Sequence, residues 1–129
     1  MSRPGDLASA ELVAFVPTKD AKRSRIFYET QLGLTFRSDD SFALVFEASG
    51  TTLRIVRVEK FTPAPFTVLG WNVAEIQVTV AQLRDRGVTF QKYPWLEQDE
   101  SGIWAAPDGT RVAWLTDPDG NVLSISQGG

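Results

Sequence analysis

Gly33-Leu-Thr-Phe36 returns as Gly87-Val-Thr-Phe90, and Gly50-Thr-Thr-Leu-Arg-Ile55 returns as Gly120-Asn-Val-Leu-Ser-Ile125. The first string recurs 54 positions later and the second 70 positions later, so the second half carries 16 extra residues between its two markers. Each glycine of the first pair follows a stretch with helical spacing, and each Leu-x-Ile sits in a stretch that alternates like a strand. The agreement of marker and element order makes duplication of one unit the reading that organises the chain.

Outward from the first copy, Glu11–Val16 is short, apolar and β-branched, and Pro17 stops it, so it reads as a strand. Asp20 suits a helix N-cap, because its carboxylate can accept from the free N–H groups of the first turn. The helix is expected from Ala21 to Leu32, with Ser24, Phe27, Tyr28, Gln31 and Leu32 on one side, and Gly33 ends it. Strands are expected at Leu34–Arg37, Phe42–Glu47 and Thr51–Val58, separated by turns at Asp39-Asp40-Ser41 and Ser49-Gly50. Glu59–Phe66 carries Pro63 and Pro65 and reads as a linker. The order then restarts. Thr67–Val73 is a strand, Glu75 opens a helix with Ile76, Val80 and Leu83 on one face, and Gly87 closes it. Val88–Lys92, Arg111–Leu115 and Asn121–Ser126 are strands, the last two joined by the turn Asp117-Pro-Asp-Gly120. The insertion falls around Tyr93–Gly109. The expected fold is α+β: two β-α-β-β-β modules, about 11–58 and 67–127, joined by a linker at about 59–66 within one domain of 129 residues.

Composition removes whole classes of chemistry. The chain has no cysteine and no histidine, which excludes thiolate nucleophiles, Fe–S clusters, Cys- or His-ligated metals and every imidazole base. The net charge of −3 argues against nucleic acid as a partner and against a membrane surface held by basic residues. No stretch reaches the roughly 20 apolar residues that span a bilayer, and the start Met1-Ser-Arg-Pro-Gly-Asp6 lacks the apolar run of a signal peptide. A cytoplasmic location is the expectation.

The doubled pattern, Phe27-Tyr28 with Leu32-Gly33-Leu34, Leu83-Arg84 with Arg86-Gly87-Val88, and Asp117-Pro-Asp-Gly-Asn-Val-Leu123 together resemble the vicinal-oxygen-chelate superfamily, the glyoxalase, bleomycin-resistance and extradiol-dioxygenase group. The resemblance spans about Glu11 to Gln127. It implies that each module curls its sheet into a half-barrel, and that a cup between two modules holds the ligand. The modules would pair within the chain or across two chains, and the resemblance favours a homodimer. Metal-using members of the family place four His, Glu or Gln ligands in the cup, one from the first and one from the last strand of each module. Carried over, those positions are near Val13 and Val68 on the first strands, and Arg54 and Ser124 on the last. None is a usual ligand, and Arg54 would set a fixed cation where the ion belongs. The resemblance therefore implies a fold without its usual metal chemistry.

Arg54 lies between apolar Leu53 and Ile55 and so points to the opposite face. It is either a solvated strand arginine or a guanidinium in the cup, ready for a carboxylate or phosphate. Ser124 and Ser126 alternate with Leu123 and Ile125 and offer hydroxyls; Asn72 offers an amide. Most of the area of Phe15, Phe46, Trp71, Tyr93, Trp95, Trp104 and Trp114 is expected in the core. Trp95 and Trp104 stand apart, because they lie in the insertion, read here as a lid or rim over the cup. The candidate ligand-binding residues are Val13, Phe15, Arg54, Val68, Asn72, Trp95, Trp104 and Ser124. No catalytic or metal residue and no cofactor is assigned. Asp117–Gly120 lacks the spacing of a calcium loop, and Glu97, Asp99 and Glu100 read as a solvated acidic stretch. The leading expectation is a metal-free binding protein for a small, partly aromatic molecule, with an anionic group as one option. The alternatives are an enzyme of the same fold working without a His-ligated metal, and an interaction module whose cup is vestigial.

Overall fold

A computed structural model describes residues 4–129; the first three residues of the polar start lie outside the described residues. The first module runs β1 (Val13–Thr18), α1 (Ala21–Arg25), a π-helical continuation (Ile26–Gln31), β2 (Thr35–Asp39), β3 (Ala43–Ala48) and β4 (Thr51–Arg57). The second runs β5 (Thr67–Asn72), α2 (Ile76–Asp85), β6 (Trp104–Ala105), β7 (Arg111–Thr116) and β8 (Val122–Gln127). The sheets have the same order, β1-β4-β3-β2 and β5-β8-β7-β6, with the first strand parallel to the last in each.

The duplication is visible in the pairing register. In the first sheet Phe36 faces Phe46, Phe46 faces Leu53 and Leu53 faces Ala14. In the second, Phe90 bridges Leu115, Leu115 faces Leu123 and Leu123 faces Leu69. Local chemistry sets the connections. Asp20 accepts from the Arg23 N–H and caps α1. Ser49 and Gly50 both have positive φ, the two-residue turn whose twist matches a hairpin. α2 lacks a side-chain cap from its own first residue. Gln127 Oε1 accepts from the Ile76 N–H at 2.7 Å instead.

Two expectations need correction. The first helix is α-helical only to Arg25, and then widens, with the Leu32 N–H reaching back to the Phe27 carbonyl at 2.8 Å. Val88–Lys92 does not form a strand. Only Phe90 makes a bridge, and the Gln91 N–H bonds the Trp114 carbonyl, before the chain leaves the sheet and rejoins it as β6. The first module has a one-residue irregularity at the same place, between Phe36 and Ser38. The insertion is therefore an excursion from an edge strand, where leaving the sheet breaks only one ladder. Gln98 ties the base of this excursion. Its Nε2 donates to the Gln91 and Gly102 carbonyls, and its Oε1 accepts from the Tyr93 N–H. Asp99 accepts from the Ser101 and Ile103 N–H groups and holds the next turn.

One apolar core runs through both modules on the helix side of the sheets. Tyr28 meets Phe27 edge-on at 5.1 Å and packs on Phe46, which meets Phe36 edge-on at 5.5 Å. Ile76, Val80 and Leu83 cover Ala113, Leu115, Leu123 and Ile125.

The modules are also joined by a buried polar clasp. Asp117–Gly120 is the expected turn, and its carboxylates reach into the first module. Asp117 Oδ2 accepts from the Tyr28 hydroxyl at 2.7 Å and from Asn121 Nδ2 at 2.8 Å, while Oδ1 accepts from the Asp119 and Asn121 N–H groups. Asn121 Nδ2 also donates to the Pro17 carbonyl. Asp119 accepts from the Thr18 hydroxyl at 2.6 Å, the Ser24 hydroxyl and the Lys19 N–H. Thr18, Ser24, Asp117 and Asn121 are all buried, so each of these bonds replaces one to water.

Asp117→Ala strands the Tyr28 hydroxyl and two turn N–H groups; the expected loss is about 2–4 kcal/mol of unfolding free energy, read from urea titration. Burial pushes the Tyr28 phenol far above its ordinary range, with the Asp117 charge adding to the effect. The unfolded phenol ionises near pH ~10. The folded form therefore keeps its proton where the unfolded form loses it, so this contribution is complete below about pH 10 and declines above it. Unfolding midpoints between pH 8 and pH 11 are expected to fall more steeply for the native protein than for Tyr28→Phe.

Candidate functional site

Side chains alternate along a strand, so every residue buried on the helix side sends its neighbours to the outer face. β1 buries Val16 and presents Val13 and Phe15; β4 buries Leu53 and Ile55 and presents Arg54; β3 buries Leu44 and Phe46 and presents Val45. Phe15, Arg54 and Val45 are cross-strand partners and form one row. The matching row of the second sheet is Gly70, Ser124 and Trp114, with Val68 and Asn72 on the same strand face. Phe15 is 62% exposed, Val68 40% and Val13 37%, so within one chain both outer faces stand open. A Cβ on Gly70 would lie 2.8 Å from Ser124 Oγ; the glycine leaves that hydroxyl uncovered where the first module has the Phe15 ring.

Phe15 and Trp114 are thus not core residues, contrary to the expectation for most of the aromatic area. Trp114 belongs to an aromatic wall on the outer face. Its ring meets Tyr93 at 5.7 Å, nearly perpendicular, and Trp104 at 6.1 Å; Tyr93 in turn stacks with Trp95 at 5.0 Å. Trp95 is 75% exposed at the end of this series. Trp104 comes from β6, and Tyr93 and Trp95 from the excursion, so the insertion builds onto the face of β7. Sequence reasoning overlooked Tyr93 and Trp114 as site residues. The available signal was the phase of Trp114 between buried Ala113 and Leu115. Trp71, by contrast, points to the helix side and packs against the core.

Arg54 is not free. Its Nη2 lies 2.7 Å from Asp40 Oδ2, and its side chain is 28% exposed. Asp40 is itself fixed, since Oδ1 accepts from the Phe42 and Ala43 N–H groups. The neighbouring Asp39 turns to the other side of the sheet and takes Arg57 through two 2.7 Å bonds. The turn Asp39-Asp40-Ser41 therefore pins one arginine on each face. The Arg57 hydrogen bond holds the Asp39 carboxyl at about 2, the Arg54 hydrogen bond lowers that of Asp40, and Asp39 raises Arg57. Removing Arg57 as Arg57→Gln is expected to return Asp39 toward the ordinary carboxylate range near 3.9 in an NMR pH titration.

The residues at the four positions implied for metal ligands, Val13, Arg54, Val68 and Ser124, are two aliphatic groups, a cation and a hydroxyl. They do not fit a divalent ion. Among the described residues no three acidic, histidine or cysteine side chains gather as a metal site. The more enclosed concavities lie elsewhere. An apolar cleft of about 140 Å³, lined by Leu32, Leu34, Trp71, Val73, Leu83 and Ile125, opens between the modules on the helix side. It carries no charged group; a second concavity on the helix side, of about 360 Å³, is lined by Lys22, Arg25, Glu29, Asp39 and Arg57, while Arg54 and Ser124 stand on the open outer faces. Among the described residues no helix is long and apolar enough to cross a membrane.

A family model described as the Glyoxalase/Bleomycin resistance protein/Dioxygenase superfamily matches residues 10–125. No curated protein matches the chain. Among solved structures, a member of this superfamily from Sphaerobacter thermophilus DSM 20745 superposes with a TM-score of 0.72 at 21% identity, covering 92% of this chain and 97% of that one. A glyoxalase/bleomycin resistance protein/dioxygenase from Nocardioides gives 0.71 at 20% identity, with 99% and 85% covered. One from Alicyclobacillus acidocaldarius gives 0.70 at 18% identity, with 99% and 95% covered. Likeness at this level of identity establishes the fold and leaves function to the site.

Proposed function

The chain belongs to the glyoxalase/bleomycin resistance protein/dioxygenase superfamily, and from that premise we propose that it is a metal-independent binding protein for a small, partly aromatic molecule. The observation that carries this reading is the wall Trp95–Tyr93–Trp114–Trp104, which ends in a tryptophan 75% exposed to solvent. An indole left this open loses the benefit of burial, and a flat ligand stacked on it restores that benefit. Ser124 and the guanidinium donors of Arg54 supply the few polar contacts that orient a ligand in an apolar site. The donor types at the four implied ligand positions support the absence of a metal requirement.

The proposal includes a homodimer. The open face carrying Phe15, Val13 and Arg54 is apolar enough to need cover, and a second copy laying its Trp114 face over it gives two equivalent sites. A cytoplasmic place of action goes with the reading, on the absence of cysteine.

Binding is favoured over catalysis by the charge state around Arg54. A general base works best with a pKa near the working pH. Asp40, the carboxylate against Arg54, is shifted the opposite way.

Titration of chelator-treated protein with 1-naphthamide is expected to quench tryptophan fluorescence, and Trp114→Ala is expected to weaken binding about tenfold, the scale of one lost stacking contact. Native mass spectrometry is expected to find a dimer. Binding that appears only after a divalent ion is added, or equal affinity in Trp114→Ala, would overturn the reading.

A further inference from the structure

Among the described residues the outer face of the first sheet carries two cations, and each is matched. Arg54 pairs with Asp40 at 2.7 Å and Arg37 with Glu47 at 2.6 Å. A third carboxylate, Glu11, accepts from the Thr52 hydroxyl at 2.8 Å, two residues along β4 from Arg54. The row Phe15–Arg54–Val45 therefore lies in a field with no surplus of positive charge. The geometry also makes Asp40 hard to displace. One of its oxygens is held by two backbone N–H groups, so an incoming anion would compete with a carboxylate already ordered in place. Only Nη2 of Arg54 is engaged by Asp40, which leaves the rest of the guanidinium fork to donate.

Resting on the binding function above, we propose that Asp40 sets the charge selectivity of the site. It keeps Arg54 as half of a neutral pair, so that the protein takes aromatic ligands bearing an uncharged acceptor, such as an amide or ketone oxygen, and turns away aromatic anions. The guanidinium donates to the acceptor oxygen, Phe15 and Val45 contact the ring, and a ligand carboxylate meets the repulsion of Asp40 at short range. This reverses the preference for an anion that Arg54 alone suggests. Asp40 is a selectivity-determining residue that acts through Arg54.

The test uses two probes with one ring system, 1-naphthamide and 1-naphthoate, titrated by calorimetry into the full chain. The native protein is expected to bind naphthamide at least tenfold more tightly than naphthoate. Asp40→Asn keeps the Oδ1 acceptor for the Phe42 and Ala43 N–H groups and removes the charge facing Arg54. It is expected to raise the affinity for naphthoate relative to naphthamide about tenfold, the scale of one charge-assisted hydrogen bond. Asp40→Asn combined with Arg54→Gln is expected to cancel the gain, and an unchanged thermal midpoint of Asp40→Asn checks the fold. Naphthoate bound as tightly as naphthamide by the native protein, or no gain in Asp40→Asn, would overturn this proposal while leaving the binding function standing. Failure of both probes to bind either protein would overturn the binding function and this proposal with it.

Discussion

The hydrogen bond from the Tyr28 hydroxyl to the Asp117 carboxylate, 2.7 Å long and buried, is the contact on which the arrangement of the two modules rests. Apolar packing between modules is non-directional and would tolerate sliding. Five hydrogen bonds cross between the modules, from Tyr28 to Asp117, from Thr18, Ser24 and Lys19 to Asp119, and from Asn121 to the Pro17 carbonyl, and another placement leaves buried polar atoms without partners. The clasp links the turn before β8 to β1 and the start of the first helix, and so relates the two strands that carry Ser124 and Phe15.

With both helices on the inner side, the period-two alternation of the strands fixes what the outer faces display. The two copies of the module then diverge. The first displays Phe15, Val45 and two arginines matched by carboxylates. The second displays Gly70, Ser124 and Trp114, and its edge strand departs to add Tyr93, Trp95 and Trp104. One face thus offers charge-neutral polar contacts, the other offers stacking area. The two faces differ in chemistry although their strands share one register pattern.

Much of this architecture is legible in the sequence because duplication doubles each signal. Gly33 and Gly87, with positive φ, mark both helix ends, and the Leu-x-Ile of each last strand fixes the phase that places Arg54 and Ser124 outward. What escapes the sequence is long-range. Asp117–Gly120 is readable as a turn, but its partners Tyr28, Thr18 and Ser24 lie about ninety or more positions away, and no local pattern links them. Asp40 reads as a turn former, and its grip on Arg54 depends on the register that folds β2 onto β3 and β4. Val88–Lys92 has strand propensity but loses most of its ladder to the excursion, a case of context overriding preference. The phase of Trp114 between Ala113 and Leu115 places it outward, but its large apolar area favours a core reading when only composition is weighed.

The chain contains four tryptophans, and their positions allow one measurement to test the central claim that ligand binds on the outer aromatic face. Three of them, Trp95, Trp104 and Trp114, stand on that face; Trp71 lines the apolar cleft on the opposite side. In a ¹⁵N-labelled sample titrated with 1-naphthamide, the indole N–H signals of Trp95, Trp104 and Trp114 should move together while that of Trp71 stays in place. Movement of Trp71 alone would put the ligand between the modules and contradict the account.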